Sequence, residues 1–269
     1  MFLRLYFYFY RCIILIPIFI RVLLYGIFHP QVLFNFLFGV VTEVAEFHKR
    51  CGGPVKNFKD SRLYQDICQA VLFPKSNCFN VGFGNIRPME AQVLGALVQI
   101  LQPKAIFEIG TYNGFSTLHL AKNSPPNSRV YTLDLSPNVD GNKDSSDLKH
   151  DLREAHGDIK TMKANSTRWF HQDECRKKIV ELFGDSRHFD FSPYDQNVDL
   201  VFIDANHSYS YVKSDTENAL KMLSPGGVIL WHDYDFIHPG IFSYLNELAQ
   251  QRKIYYIERT RFALLINNE

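Results

Sequence analysis

From Arg87 onward the chain alternates between short apolar runs and amphipathic segments. Pro88–Leu101 carries apolar residues at Val93, Leu94, Leu97, Val98 and Leu101, which is the stripe of a helix. Ala105–Ile109 reads as a buried strand, residues 114–122 as a helix, and residues 129–133 as a second strand closed by Asp134. Residues 137–146 are rich in Asp, Asn and Ser and read as a loop; residues 148–178 read as helical with a loose pattern. Ile179–Phe183 is a third strand followed by Gly184-Asp185-Ser186, and Val198–Ile203 a fourth ending at Asp204. Residues 211–223 form a helix stopped by Ser224-Pro225-Gly226-Gly227. Residues 228–231 make a fifth strand ending at His232-Asp233; residues 241–251 are a helix, and 254–257 with 262–266 a last strand pair.

Strands separated by helices predict an α/β fold with a doubly wound, mainly parallel sheet. Strands covered on both faces lose polar alternation, as VDLVFID and GVILWHD do. In such sheets ligands bind beyond the carboxyl ends of the strands. Glu108, Asp134, Asp185, Asp204, His232 and Asp233 all fall at those ends.

The stretch before Thr42 behaves differently. It holds eight of the 23 Phe and four of the 14 Tyr, and its only full charges are Arg4, Arg11 and Arg21. A spanning helix needs about 20 apolar residues. Residues 12–20 are too short, and residues 22–42 are interrupted by His29, Pro30, Gln31 and Asn35. The expectation is a hydrophobic, helical, Arg-containing segment over 1–42 that lies on a membrane surface, placing the protein in the cytoplasm at the inner face of the membrane. A spanning anchor and a mis-assigned gene start are the alternatives. Residues 43–86 then form a cap on the substrate side, and 87–269 the ligand-binding domain.

Composition narrows the function classes. Of 269 residues 46% are hydrophobic and 21% charged, which excludes a disordered chain. The net charge of +1 excludes nucleic-acid binding driven by bulk charge. The five cysteines form no CxxC pair, so neither a disulfide framework nor a clustered zinc site is expected.

Between the first strand and its helix runs Glu108-Ile-Gly-Thr-Tyr-Asn-Gly114. Gly110 and Gly114 allow a tight turn close to a ligand, with Thr111 and Asn113 between them. The Gly-xxx-Gly spacing is not the GxGxxG of dinucleotide sites, and Glu108 suits a cationic ligand better than a pyrophosphate. Asp134 lies 24 residues beyond Gly110, where an acid can accept ribose hydroxyls. Asp185 and Ser186 could meet an adenine amino group or could cap a helix.

Together these motifs resemble the class I S-adenosylmethionine-dependent methyltransferases, from about Arg87 to the C-terminus. EIGTYNG resembles the family's E/DxGxxxG motif, Asp134 its ribose acid, GDS its adenine-side position, and LSPGGVILWHD its Pro-Gly-Gly turn and fifth strand. VDLVFIDANHSYSYVKSD followed by WHDY resembles a subgroup of bacterial sugar and natural-product O-methyltransferases. The resemblance implies a Rossmann-like, seven-stranded methyltransferase fold, S-adenosyl-L-methionine held by Glu108, Gly110, Thr111, Asn113, Gly114, Asp134, Asp185 and Ser186, and transfer to a hydroxyl of a small molecule, sugar or lipid-linked acceptor. It further implies Asp204, His207 and Asp233 as the catalytic set, with His207 as general base. Converging Asp204 and Asp233 call for a cation or proton between them, which admits Mg²⁺ or another divalent metal on Asp204, Asp233 and His232. Related metal-dependent enzymes often carry Glu where this chain has His232, and a histidine admits a softer metal or none. An NAD-dependent oxidoreductase on the same sheet, a metal-dependent phosphoesterase and a non-catalytic nucleoside-binding protein are the competing readings.

Overall fold

A computed structural model of the chain describes residues 54–64, 75, 84–135, 168–235 and 237–267. The chain divides into two compact units, Met1–Cys51 and Gly52–Glu269, and every described residue belongs to the second. The expected membrane segment and the loop at 137–146 lie outside the described residues. Among those described, no helix is long and apolar enough to cross a membrane.

Eight strands form one sheet: β1 (Lys56–Asn57), β2 (Ala105–Ile109), β3 (Arg129–Asp134), β4 (Ile179–Phe183), β5 (Val198–Ile203), β6 (Leu223–Trp231), β7 (Tyr255–Tyr256) and β8 (Ala263–Ile266), in the order β1-β7-β8-β6-β5-β2-β3-β4. All neighbours are parallel except β8, which runs antiparallel to both β6 and β7. The mainly parallel doubly wound sheet is as expected. The strand beyond seven is β1, two residues from the region that carried no readable motif.

Among the described residues, four helices cover the sheet: α1 (Pro88–Leu101), α2 (Phe115–Asn123), α3 (Tyr209–Met222) and α4 (Pro239–Leu248). Alternate strand residues enter opposite cores, because successive side chains point to opposite faces. Ile106, Leu200 and Leu230 pack in one core with α1 and α2; Phe107, Val201 and Trp231 pack in the other with α3 and α4. Both faces are dry, which is why the strands read as unbroken apolar runs.

Two local readings change. Ser224–Gly227 lies within β6 as a bulge, since Val198 pairs Leu223 but Leu200 pairs Val228. The described end of the expected helix over 148–178 is a turn and a 3₁₀ segment, Glu174–Lys178, whose first turn is capped by Asp173 accepting from Cys175 N–H.

The chain winds outward through β2, β3 and β4, then returns to place β5 on the other side of β2. The strand order therefore reverses between β2 and β5. That switch point opens a crevice at the carboxyl ends of the two strands.

Candidate active site

The turn leaving β2 is shaped by close approach to β5. Gly110 has φ +102°, and a Cβ there would lie 2.0 Å from the Asp204 carbonyl oxygen. Only glycine fits, so the turn can lie directly on the backbone that leaves β5. Gly114, φ +80°, meets the Phe170 ring on its other side, 2.5 Å from where a Cβ would be. The turn closes on itself through Gly114 N–H to Thr111 O (2.7 Å) and Phe115 N–H to Asn113 Oδ1 (3.1 Å).

Asp134 is bound into this turn. Its Oδ2 accepts from Tyr112 N–H at 2.8 Å and its Oδ1 from Leu135 N–H at 2.8 Å, with Arg168 Nη1 at 3.4 Å from Oδ2. Burial pushes its carboxyl up to about 6, against the pull of Arg168 and the two amides.

Glu108 departs from its expected place toward a cationic ligand. It is fully buried and accepts from Ser116 Oγ (2.6 Å), Thr132 Oγ1 (2.6 Å) and Thr117 Oγ1. Burial pushes it up to about 7, the three hydroxyls notwithstanding. Its carboxyl ties β2 to β3 and to the first turn of α2, because a carboxyl end of a strand covered on both faces opens to solvent only past its last residue. The Thr111 hydroxyl is likewise turned inward, 2.6 Å from that of Thr132. At the end of β4, Asp185 accepts from Arg187 N–H (3.0 Å) and Tyr211 Oη (3.2 Å), and Ser186 is nearly buried.

A second group of charges gathers at the ends of β5 and β6. Asp233 sits in the left-handed region, φ +55°, which a non-glycine residue enters at a cost of about 1–3 kcal/mol. Its Oδ2 is 3.1 Å from His207 Nε2. Its Oδ1 takes the Arg261 Nη1 donor and lies 3.4 Å from His232 Nδ1. His232 bridges Asp204 Oδ1 (3.1 Å from Nδ1) and Glu90 Oε2 (3.1 Å from Nε2). Burial opposes charge on Glu90, His207, His232 and Asp233, yet their mutual fields win. His232 is held well above the usual imidazole range by Asp233 and Asp204, and Asp233 well below the carboxylate range by His232 and Arg261. Asp233 also raises His207 against its burial. Side-chain exposure is 32% for His207, 8% for Asp233 and 3% for His232, so His207 is the member an acceptor can reach.

The structure thus brings Asp204, His207, His232 and Asp233 together, as the sequence suggests, and adds residues it did not. Glu90 is one. It occupies the buried side of α1 with Ala91, Leu94, Leu97 and Val98, and a carboxylate at helical spacing on an apolar stripe was the available signal. Arg261 is another, with no signal in the short connection between β7 and β8. His238 is a third, its ring 4.4 Å from that of His207 and its Nδ1 2.9 Å from Asp235 Oδ1. Gly240 admits α4 to this corner, since a Cβ there would lie 2.3 Å from His207 O.

With this geometry in hand, comparison with known proteins is direct. A family model described as "Methyltransferase domain" matches residues 107–234. Residues 107–234 are a methyltransferase domain. This bears out the resemblance read from the strand-end motifs. The chain is 27% identical over 158 residues to an uncharacterized protein of Sinorhizobium fredii, covering 58% of this chain and 16% of that protein. It is 36% identical over 53 residues to catechol O-methyltransferase B of Danio rerio, covering 20% of each. The chain therefore matches a fifth or less of the length of these curated relatives. Among solved structures, an O-methyltransferase from Streptomyces achromogenes in complex with SAM aligns over 68% of this chain and 82% of that one, with 19% identity and a TM-score of 0.47. The methyltransferase domain holds the glycine turn, Asp134, His207 and Asp233, whereas Glu90, His238 and Arg261 lie outside it.

Proposed function

We propose that the protein is an S-adenosylmethionine-dependent methyltransferase acting on a hydroxyl of a small molecule. The observation that carries this reading is the glycine turn tied to Asp134 at the switch point, beside the open His207–Asp233 pair. The residues fit the cofactor: Gly110 and Gly114 let the turn lie tight against Asp204 and Phe170 at the switch point, and Asp134 keeps lone pairs for ribose hydroxyls. Asp185 and Ser186 stand at the adenine side. Bound there, the cofactor offers a methyl group activated on a sulfonium. The backbone of the 110–114 turn and Asp134 bind and orient it.

His207 Nε2 is turned to Asp233, which leaves Nδ1 to take the proton of an acceptor hydroxyl. Asp233 orients the ring and supports the charge that forms on it, as a carboxylate behind a histidine does. The acceptor side is read as the region before residue 87. There, Asn57, Phe58, Lys59 and Tyr64 with Ile257, Glu258 and Arg259 line a cavity of about 280 Å³ at the carboxyl ends of β1 and β7. Residues 1–42 are read as a membrane-surface segment that would favour glycan- or lipid-linked acceptors; vesicles should retain the full chain and not one lacking 1–42.

Calorimetry with S-adenosylhomocysteine tests the central reading. The full chain should bind it, and labelled methyl donor should then mark an acceptor in a screen of hydroxyl compounds. No binding ends the reading; binding without any transfer favours a non-catalytic nucleoside-binding protein.

A further inference from the structure

Two carboxylates ending adjacent parallel strands repel one another unless positive charge lies against them. Asp204 and Asp233 follow Ile203 of β5 and the Trp231-His232 end of β6, and Ile203 and Trp231 are register partners. By distance alone a metal could answer: the ligand atoms of Asp204, His232 and Asp233 lie within 4.8 Å of one another. The donors are already engaged, however. Asp233 Oδ1 is held by Arg261 and Oδ2 by His207. His232 Nδ1 lies 3.1 Å from Asp204 and Nε2 3.1 Å from Glu90. A metal-bound histidine turns one nitrogen to the ion at about 2.1 Å. Here an ion on Nδ1 would have to draw Asp233 Oδ1 away from a guanidinium that is itself fixed. Glu90 Oε1 accepts both Arg261 N–H (2.9 Å) and Arg261 Nε–H (3.3 Å), so Arg261 is pinned through backbone and side chain. Asp204, His232 and Asp233 do not fit a divalent ion, and in the other group at that spacing, His207, Asp233 and His238, Asp233 Oδ2 is held by His207 (3.1 Å) and His238 Nδ1 by Asp235 (2.9 Å).

We infer that Arg261 and His232 form a built-in cation pair, anchored by Glu90, that takes the place of a divalent metal and holds Asp233 against His207. Arg261 and Glu90 are positioning residues; they act through Asp233. This rests on the methyl transfer proposed above for its rate readout. It also bears on the acceptor. Without an ion to chelate, the site has no need of two adjacent oxygens, and one hydroxyl within reach of His207 serves.

The test is a Mn²⁺ titration of the full chain followed by electron paramagnetic resonance, together with labelled-methyl assays in chelator and in Mg²⁺. The wild type should leave the aqueous Mn²⁺ signal unchanged, and turnover should agree within about twofold in the two buffers. Arg261→Met should lose about a hundredfold in turnover, keep its affinity for S-adenosylhomocysteine, and regain part of the rate with Mn²⁺. Arg261→Lys should retain part of the rate and gain no metal dependence. Paired acceptors with one hydroxyl or two vicinal hydroxyls should react at rates within about tenfold. Stoichiometric Mn²⁺ binding by the wild type, displaced by Mg²⁺ and matched by loss of turnover in chelator, would overturn the inference. If Arg261→Met does not fold, the wild-type titration decides alone. Failure to bind S-adenosylhomocysteine would sink the proposed function and leave the titration to judge the cation pair.

Discussion

The two halves of the crevice are built on opposite electrostatic plans. On the β2–β3 side, Glu108 is buried among hydroxyls and the half-buried Asp134 among amides with Arg168 at 3.4 Å, and burial raises both. On the β5–β6 side, Asp233 and Glu90 are at least as buried, yet both are pushed down by cations the fold brings to them, His232 and Arg261. In the first half Glu108 is closed off behind three hydroxyls, and Asp134, 12% exposed, keeps lone pairs to give. The second is already compensated. A side that waits for its ligand should lose binding when altered; a compensated side should lose rate.

The largest effect is expected at the seam between them. Gly110→Ala would set a Cβ against Asp204 O at a φ that L residues avoid, costing about 3 kcal/mol or more. Urea unfolding and calorimetry should show a destabilised chain that does not bind S-adenosylhomocysteine. A stable variant with wild-type affinity would mean that the turn is not the cradle.

Next in size is Asp233→Asn. Turnover should fall about 10²–10⁴-fold while affinity for S-adenosylhomocysteine stays within about threefold of wild type. Its pH profile carries a sign. His207 must be neutral to accept a proton, and Asp233 raises its pKa, so wild-type kcat/KM should fall on the acid side at a pH above that of an ordinary histidine. Removing the charge should move that limb to lower pH. An unmoved limb would take His207 out of the base role.

Asp134→Asn should do the reverse of Asp233→Asn. It should weaken S-adenosylhomocysteine by about 10–100-fold, the worth of one or two hydrogen bonds to a carboxylate, and leave single-turnover rate at saturation nearly unchanged. Equal losses in both quantities would erase the division between the halves.

The smallest effect is on stability, behind the Asp185–Ser186 turn. Asp215 is fully buried, and burial pushes it up to about 7 against the pull of the Ser186 hydroxyl and Arg187. A carboxyl whose folded pKa is raised costs stability as pH climbs from its unfolded value near 4 to the folded one. Asp215→Asn should therefore match wild type at pH 4 and exceed it by about 1–2 kcal/mol at pH 8. Equal stability differences at both pH values would show that folding does not raise the Asp215 carboxyl.

How legible each half was from the chain follows from its range of contact. The glycine turn and Asp134 sit within 24 residues, and their motif lies on consecutive elements. Asp204 and Asp233 were placed together because both end apolar runs, and parallel strands share a carboxyl edge. The inward turn of Glu108 was not readable, since its hydroxyl partners at Ser116, Thr117 and Thr132 are ordinary residues of a helix and a strand. β1 is not legible in the sequence because a two-residue edge strand has no periodicity.

By itself, then, the chain determined the alternation of strands and helices, the carboxyl edge as the ligand edge and the acids along it. Burial on two faces and the demands of tight turns write those features into local pattern. Only the tertiary structure decided how the acids are neutralised. Glu90 and Arg261 are 171 positions apart and meet over Asp233 and His232 through the packing of α1 against the β7–β8 connection. A charge is matched by whatever lies within a few ångströms, and distance along the chain carries no record of that.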